Sequence, residues 1–251
     1  MNLKKIKNIL SKILTFWLPN PYRKSARNFL IYFSLSDYIR FRNQQYKIVS
    51  LGRDCLPRVL FTVAKIKPRK IYGEETCPFD LYKNSGISRV TELIKDDFST
   101  FFDDLIISED CFPHDLTLSQ DRFRKRYLKR IDNFRKILSS DKKIFFVYAD
   151  YDKIPDKSEL QALYNVLKYK RNGKPFELIL LTTEYLNNIQ DVIQLPEHFR
   201  VEDKKWVDYF INKYGEYRND YTDYCARMSN KLVSIIAKSL DTTNDFAKDI
   251  Q

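Results

Sequence analysis

Cysteine and histidine are scarce in this chain, with four and two copies in 251 residues, and one pair of them is placed to do chemistry. Cys55 follows Gly52-Arg53-Asp54, just beyond Lys47-Ile48-Val49-Ser50-Leu51-Gly52, an apolar, β-branched run that reads as a buried strand. A helix is predicted over 56–65, with Pro57 tolerated in its first turn. The sulfur therefore falls at a strand-to-helix turn, where the helix start favours the thiolate and Arg53 and Arg58 add positive charge. A thiolate attacks carbonyl carbon, and amide hydrogens at the same helix start stabilise the resulting oxyanion.

Such a nucleophile needs a base, which must be His114 or His198. His114 stands beside Asp115 after Phe112-Pro113, the pattern of a positioned imidazole with a carboxylate nearby. His198 stands beside Glu197 and reads as a loop leading into a strand. Cys77 and Cys111 flank the same loops and are the alternative nucleophiles. The competing reading of each residue is plain: a small core cysteine, and a histidine held in a structural hydrogen bond.

Two other patterns could carry chemistry. Asp150-Tyr151-Asp152 follows the predicted strand over 143–149, and two carboxylates at a strand end are how many metal-dependent glycosyltransferases hold a divalent ion against a diphosphate. A polar turn gives the same tripeptide. The segment Asp121–Lys136 carries eight Lys/Arg against Asp121 and Asp132, with Arg126 and Arg130 one turn apart where they could hold a phosphate or an acidic sugar. The four cysteines have no metal spacing, so neither a metal nor a cofactor is expected.

The elements that must position these groups follow from periodicity. Helices are predicted over 87–97, from an N-cap at Ser119 with Phe123, Tyr127, Ile131, Phe134 and Leu138 on one face, over 156–170 and over 222–240. Strands are predicted over 143–149 and 176–182, with a short one near 199–201, and residues 69–86 read as irregular. Alternation of strands and helices predicts an α/β fold, a three-layer, mostly parallel sheet flanked by helices, whose sites lie beyond the carboxyl ends of the strands.

Charge is distributed unevenly. Residues 1–47 hold ten Lys/Arg against Asp37 alone, while the remainder is nearly balanced at 34 basic and 32 acidic residues. A nucleic-acid-binding domain spreads its charge over the folded surface, so nucleic acid is not the expected partner. Leu3, Ile6, Ile9, Leu10, Ile13, Leu14 and Trp17 line one stripe of a helix that Pro19 and Pro21 end, with lysines opposite. The run is too short to span a bilayer and has no signal-peptide cleavage pattern. An amphipathic arm over 1–46 ahead of an α/β domain over 47–251 is expected, with residues 1–30 lying on the anionic cytoplasmic face of the inner membrane. Reduced thiols are expected in that compartment.

Ser50-Leu51-Gly52-Arg53-Asp54-Cys55, Pro78-Phe79-Asp80, His114-Asp115 and the basic-aromatic helix from Phe123 to Phe134, in that order, resemble a bacterial family of papain-like cysteine peptidases. Its members show S-L-G-x-x-C, P-F-D, an H-D pair and an arginine-rich helix, and the likeness covers about residues 47–182. The resemblance implies Cys55 as nucleophile, His114 as base, and Asp115 or Asp80 as the carboxylate that orients the imidazole. The family's P-F-D-W reads Pro78-Phe79-Asp80-Leu81 here. Its genes are often met in surface-polysaccharide loci, which implies a glycan or acyl-type substrate. Acyl transfer or ester cleavage on a glycan precursor uses the same thiolate machinery as peptide hydrolysis.

Overall fold

The structure is a computed structural model that describes residues 35–53, 55–68, 72–83, 86–103, 111–150, 154–187, 191–197 and 219–240, together with residues 12, 16 and 19. Most of the predicted amphipathic arm, the strand near 199–201, and His198 lie outside the described residues. The chain divides into two compact units, Met1–Gln44 with Pro68–Glu74, and Gln45–Lys67 with Glu75–Gln251. In the first, helix α1 (Leu35–Asn43) carries an Asp37–Arg40 ion pair of 3.2 Å, and the Phe41 and Tyr72 rings meet at 5.6 Å.

The second unit is built on a four-stranded sheet, β1 (Tyr46–Ser50), β2 (Lys143–Ala149), β3 (Phe176–Thr182) and β4 (Val192–Pro196), parallel throughout and in chain order. Between β1 and β2 come α2 (Leu56–Val63), a 3-10 turn at Pro78–Asp80, α3 (Ile87–Lys95) and α4 (Gln120–Ser139). Helix α5 (Lys157–Arg171) joins β2 to β3, and α6 (Asn219–Ser239) follows β4.

Strand side chains alternate between the two faces, and both faces are dry. Phe146, Tyr148, Leu178 and Leu180 share one core with residues of α3, α4 and α5, while Phe145, Val147, Ile179 and Leu181 share the other with residues of α2 and α6. The expected α/β organisation thus holds as a parallel sheet with helices on both sides. On the first face the aromatic run after α3 is absorbed into packing, with Phe98 against Phe79 and Phe134 at 5.6 and 5.4 Å.

The starts of β2 and β3 are tied together by one side chain. Arg171, buried at the end of α5, donates to the carbonyls of Leu138, Ser140, Lys142 and Pro175, the last three at 2.8, 2.9 and 3.1 Å. Those oxygens belong to the end of α4 and to the turns entering the two central strands, so one guanidinium fork satisfies four acceptors. Among the described residues no helix is long and apolar enough to cross a membrane.

Candidate active site

Where β1 ends, its pairing with β2 runs on into the following loop: Leu51 N donates to Val147 O at 2.8 Å and Arg53 N to Ala149 O at 3.2 Å. That extension fixes the direction in which the chain leaves the sheet. Cys55 is the N-cap of α2, at φ −81° and ψ 1°, the sparsely populated bridge region where many active-site residues sit. Val59 N returns to Cys55 O at 3.0 Å to close the first turn, and Pro57 occupies a position where a missing N–H costs nothing. Cys55 thus stands at the strand-to-helix turn where the sequence puts it, and it is half-buried there.

His114 is delivered by a separate loop and is exposed. Its turn closes through Asp115 N to Phe112 O and Leu118 N to Asp115 O, each 3.0 Å. The Phe112 ring is seated on Tyr82 at 4.9 Å and against Phe123 at 4.7 Å. This seat brings His114 Nε2 to 3.8 Å from Cys55 Sγ across 59 positions of sequence. The separation suits a thiol–imidazole pair in the looser geometry of an unliganded site. Among the described residues the imidazole has this one polar contact.

Asp115 is turned the other way. Its carboxylate is fully buried and is gripped from α4: Arg126 Nη1 donates to Oδ1, the Tyr127 hydroxyl donates to Oδ2 at 2.9 Å, and Arg130 Nη1 stands 3.6 Å from Oδ2. Burial above all pushes the Tyr127 phenol well above its ordinary range, Asp115 adding to this and Arg130 opposing it, so the hydroxyl remains a donor. Arg130 is itself buried, with its guanidinium 4.5 Å from the Tyr127 ring centre, whereas 42% of the Arg126 side chain is exposed. The residue next to the imidazole thus anchors the histidine loop to α4.

Asp80 is equally buried and belongs to a different neighbourhood. Lys67 Nζ donates to its two oxygens at 2.8 and 2.7 Å, and Cys77 N donates to Oδ2 at 2.7 Å, which closes the 3-10 turn as a capping box. The Pro78-Phe79-Asp80 motif ties the chain after α2 to the core through Phe79 and through this buried ion pair. Lys67 and Tyr127, the partners that hold the two carboxylates, were not legible as such: Tyr127 reads only as one more member of an apolar face.

Arg53 Nη1 lies 3.3 Å from Asp150 Oδ1, which places the guanidinium at the carboxyl ends of β1 and β2 beside the cysteine loop. The Tyr148 hydroxyl donates to Asp150 Oδ2 at 3.3 Å, and burial first, then Asp150, pushes that phenol well above its ordinary range. Asp54 and Asp152 lie outside the described residues, and among those described no three His, Cys, Asp or Glu side chains are grouped to hold a metal ion. All four cysteines are thiols; Cys77 and Cys225 are buried, while Cys111 is half-buried like Cys55.

Compared with family models, with curated proteins and with solved structures, the chain matches none. The chemistry must therefore be read from the geometry. A half-exposed thiol at a helix start, faced by an exposed imidazole, has the parts for nucleophilic acyl chemistry.

Proposed function

We propose that this chain is a cysteine-dependent hydrolase or acyltransferase in which Cys55 is the nucleophile and His114 the general base. The observation that carries the reading is the 3.8 Å approach of Cys55 Sγ to His114 Nε2 at the carboxyl end of β1. As the sulfur bonds the carbonyl carbon, its proton passes to His114 Nε2 and the carbonyl electron pair moves onto oxygen. Collapse expels the leaving group, which takes the proton from His114 and leaves a thioester on Cys55. Water, or the hydroxyl of an acceptor, then attacks the thioester, gives its proton to His114, and releases the sulfur. The partial positive charge at the start of α2 favours both the thiolate and the oxyanion.

The resemblance to papain-like cysteine peptidases and the cationic leader extend this reading to a surface-polysaccharide setting on the cytoplasmic face of the inner membrane, reached through residues 1–30. The dyad is tested with p-nitrophenyl acetate and peptide mapping. Wild type gains one acetyl group on the Cys55 peptide, Cys55→Ala gains none there, and His114→Ala acetylates about 100-fold more slowly, within the usual range for loss of a general base. Acetylation that favours Cys111, or an unchanged rate in His114→Ala, overturns the dyad. Flotation with anionic liposomes, lost on removal of residues 1–30, tests the membrane placement.

A further inference from the structure

We infer that the acyl substrate of the Cys55–His114 site carries an anionic group, a carboxylate or phosphate close to the carbon attacked, and that Arg126 receives it. The inference rests on the proposed dyad and concerns what that dyad acts on. Two guanidinium groups converge on the single carboxylate of Asp115, which leaves a surplus positive charge at the residue next to His114. The two are not equivalent. Arg130 is buried, so it serves as the inner counter-ion.

Arg126 spends one nitrogen, Nη1, on Asp115, and among the described residues its guanidinium has no other polar partner. Its side chain is 42% exposed, so the rest of the fork faces solvent while the bond to Asp115 holds it in place. A tethered, half-exposed guanidinium is pre-organised for a planar or tetrahedral anion, because little rotamer entropy remains to be lost on binding. Arg122, exposed and one turn earlier on the same helix edge, adds a second cation. Asp115 and His114 are consecutive, with Cα atoms about 3.8 Å apart. The guanidinium is therefore tethered to the residue that adjoins the proton carrier, on the loop that brings His114 to Cys55.

The test compares two alkylating reagents of nearly equal size, iodoacetate and iodoacetamide, with rates at each cysteine of the full chain read by peptide mapping. At Cys55 the iodoacetate-to-iodoacetamide rate ratio is expected to exceed that of glutathione about fivefold, the scale of one ion pair in water. Arg126→Gln is expected to return the ratio to the glutathione value, whereas Lys125→Gln, which removes a charge from the solvent side of the same helix, leaves it unchanged. An equal fall of both rates in Arg126→Gln means that the residue acts only by holding the histidine loop, and it overturns the anion seat. So does an equal change of the ratio in Lys125→Gln.

At matched ionic strength, phosphate slows iodoacetate labelling of Cys55 if the group recognised is a phosphate, and acetate slows it if it is a carboxylate. Slowing by neither counts against the seat. If Cys55 reacts with iodoacetamide no faster than Cys111, the nucleophile itself is misassigned; a fast Cys55 with an ordinary ratio removes only the substrate class.

Discussion

Asp80 and Asp115 are both buried carboxylates that pin an irregular segment to the body of the second unit, and they do it in opposite ways. Asp80 forms a closed pair, one lysine with both oxygens engaged and a backbone amide completing the turn. Asp115 is over-supplied, with a phenol and two arginines around two oxygens, one of the arginines half-exposed. A closed pair is suited to stability alone. An over-supplied one leaves charge to spare at the surface, beside the imidazole.

The difference is open to being broken by substitution. The largest effect is expected from Asp80→Ala, which strands the buried ammonium of Lys67 and costs about 3–5 kcal/mol of unfolding free energy in urea denaturation. Under conditions where the variant is still folded and Tyr82 keeps its place under Phe112, Cys55 alkylation should keep its wild-type rate, because among the described residues neither side chain of this pair contacts the histidine loop. Asp115→Asn should cost about 3 kcal/mol, the low end of that range, since the buried Arg130 loses its counter-ion while Arg126 can turn to solvent and the amide oxygen still accepts from Tyr127. Unlike Asp80→Ala, it should slow Cys55 alkylation in the folded protein, because His114 loses its anchor. If the two variants affect Cys55 alike, the distinction between the carboxylates fails.

Tyr127→Phe isolates one strand of the grip on Asp115 and should cost about 1 kcal/mol with little change at Cys55, two arginines remaining. The smallest effect concerns a surface pair far from either carboxylate. Lys231 first, through its hydrogen bond, and then Arg227 hold the Glu197 carboxyl below the usual carboxylate range. The folded chain therefore takes up this proton at lower pH than the unfolded chain. The stabilisation is complete above the ordinary value of about 4.5 and disappears as pH falls through the lowered one. Hydrogen exchange in α6 should accelerate below that point in wild type, and Glu197→Gln should already be fast at neutral pH.

What could be read from the sequence depended on the length and purity of each pattern. β2 and β3 are unbroken apolar runs and fall at the predicted positions, and α4 follows its apolar stripe from the Ser119 cap, although that serine makes no side-chain capping bond. β4 escaped because its segment, Val192-Ile193-Gln194-Leu195-Pro196, contains a glutamine and a proline and is half-buried throughout. The nine residues 183–191 before it are also too few for the crossover helix that normally announces a parallel strand. Gln194 is polar for a local reason: its side chain exchanges hydrogen bonds with the backbone of Leu186, 2.7 and 2.9 Å long.

The approach of Cys55 and His114 was legible because a strand-to-helix turn and a shortage of histidines left few pairings. The direction of each carboxylate was not. Adjacency of His114 and Asp115 in the chain suggests a hydrogen bond between them, but neighbouring side chains in a turn point apart, and three donors on α4 compete for Asp115. The same geometry divides Arg126 from Arg130, which share a helix edge in the sequence and yet differ in burial, Arg130 lying against the Tyr127 ring while Arg126 stays half-exposed.

The clamp formed by Arg171 lies at the opposite end of the sheet from Cys55. By lashing the entries of β2 and β3 to one rigid fork, it makes that rim a foundation, while the cysteine and histidine loops emerge at the far rim. Loops there can lengthen, shorten or change residues over evolutionary time without disturbing how the two central strands line up, so one scaffold can be refitted to new substrates. A lysine in its place would bring a single nitrogen to four carbonyls and forfeit that latitude.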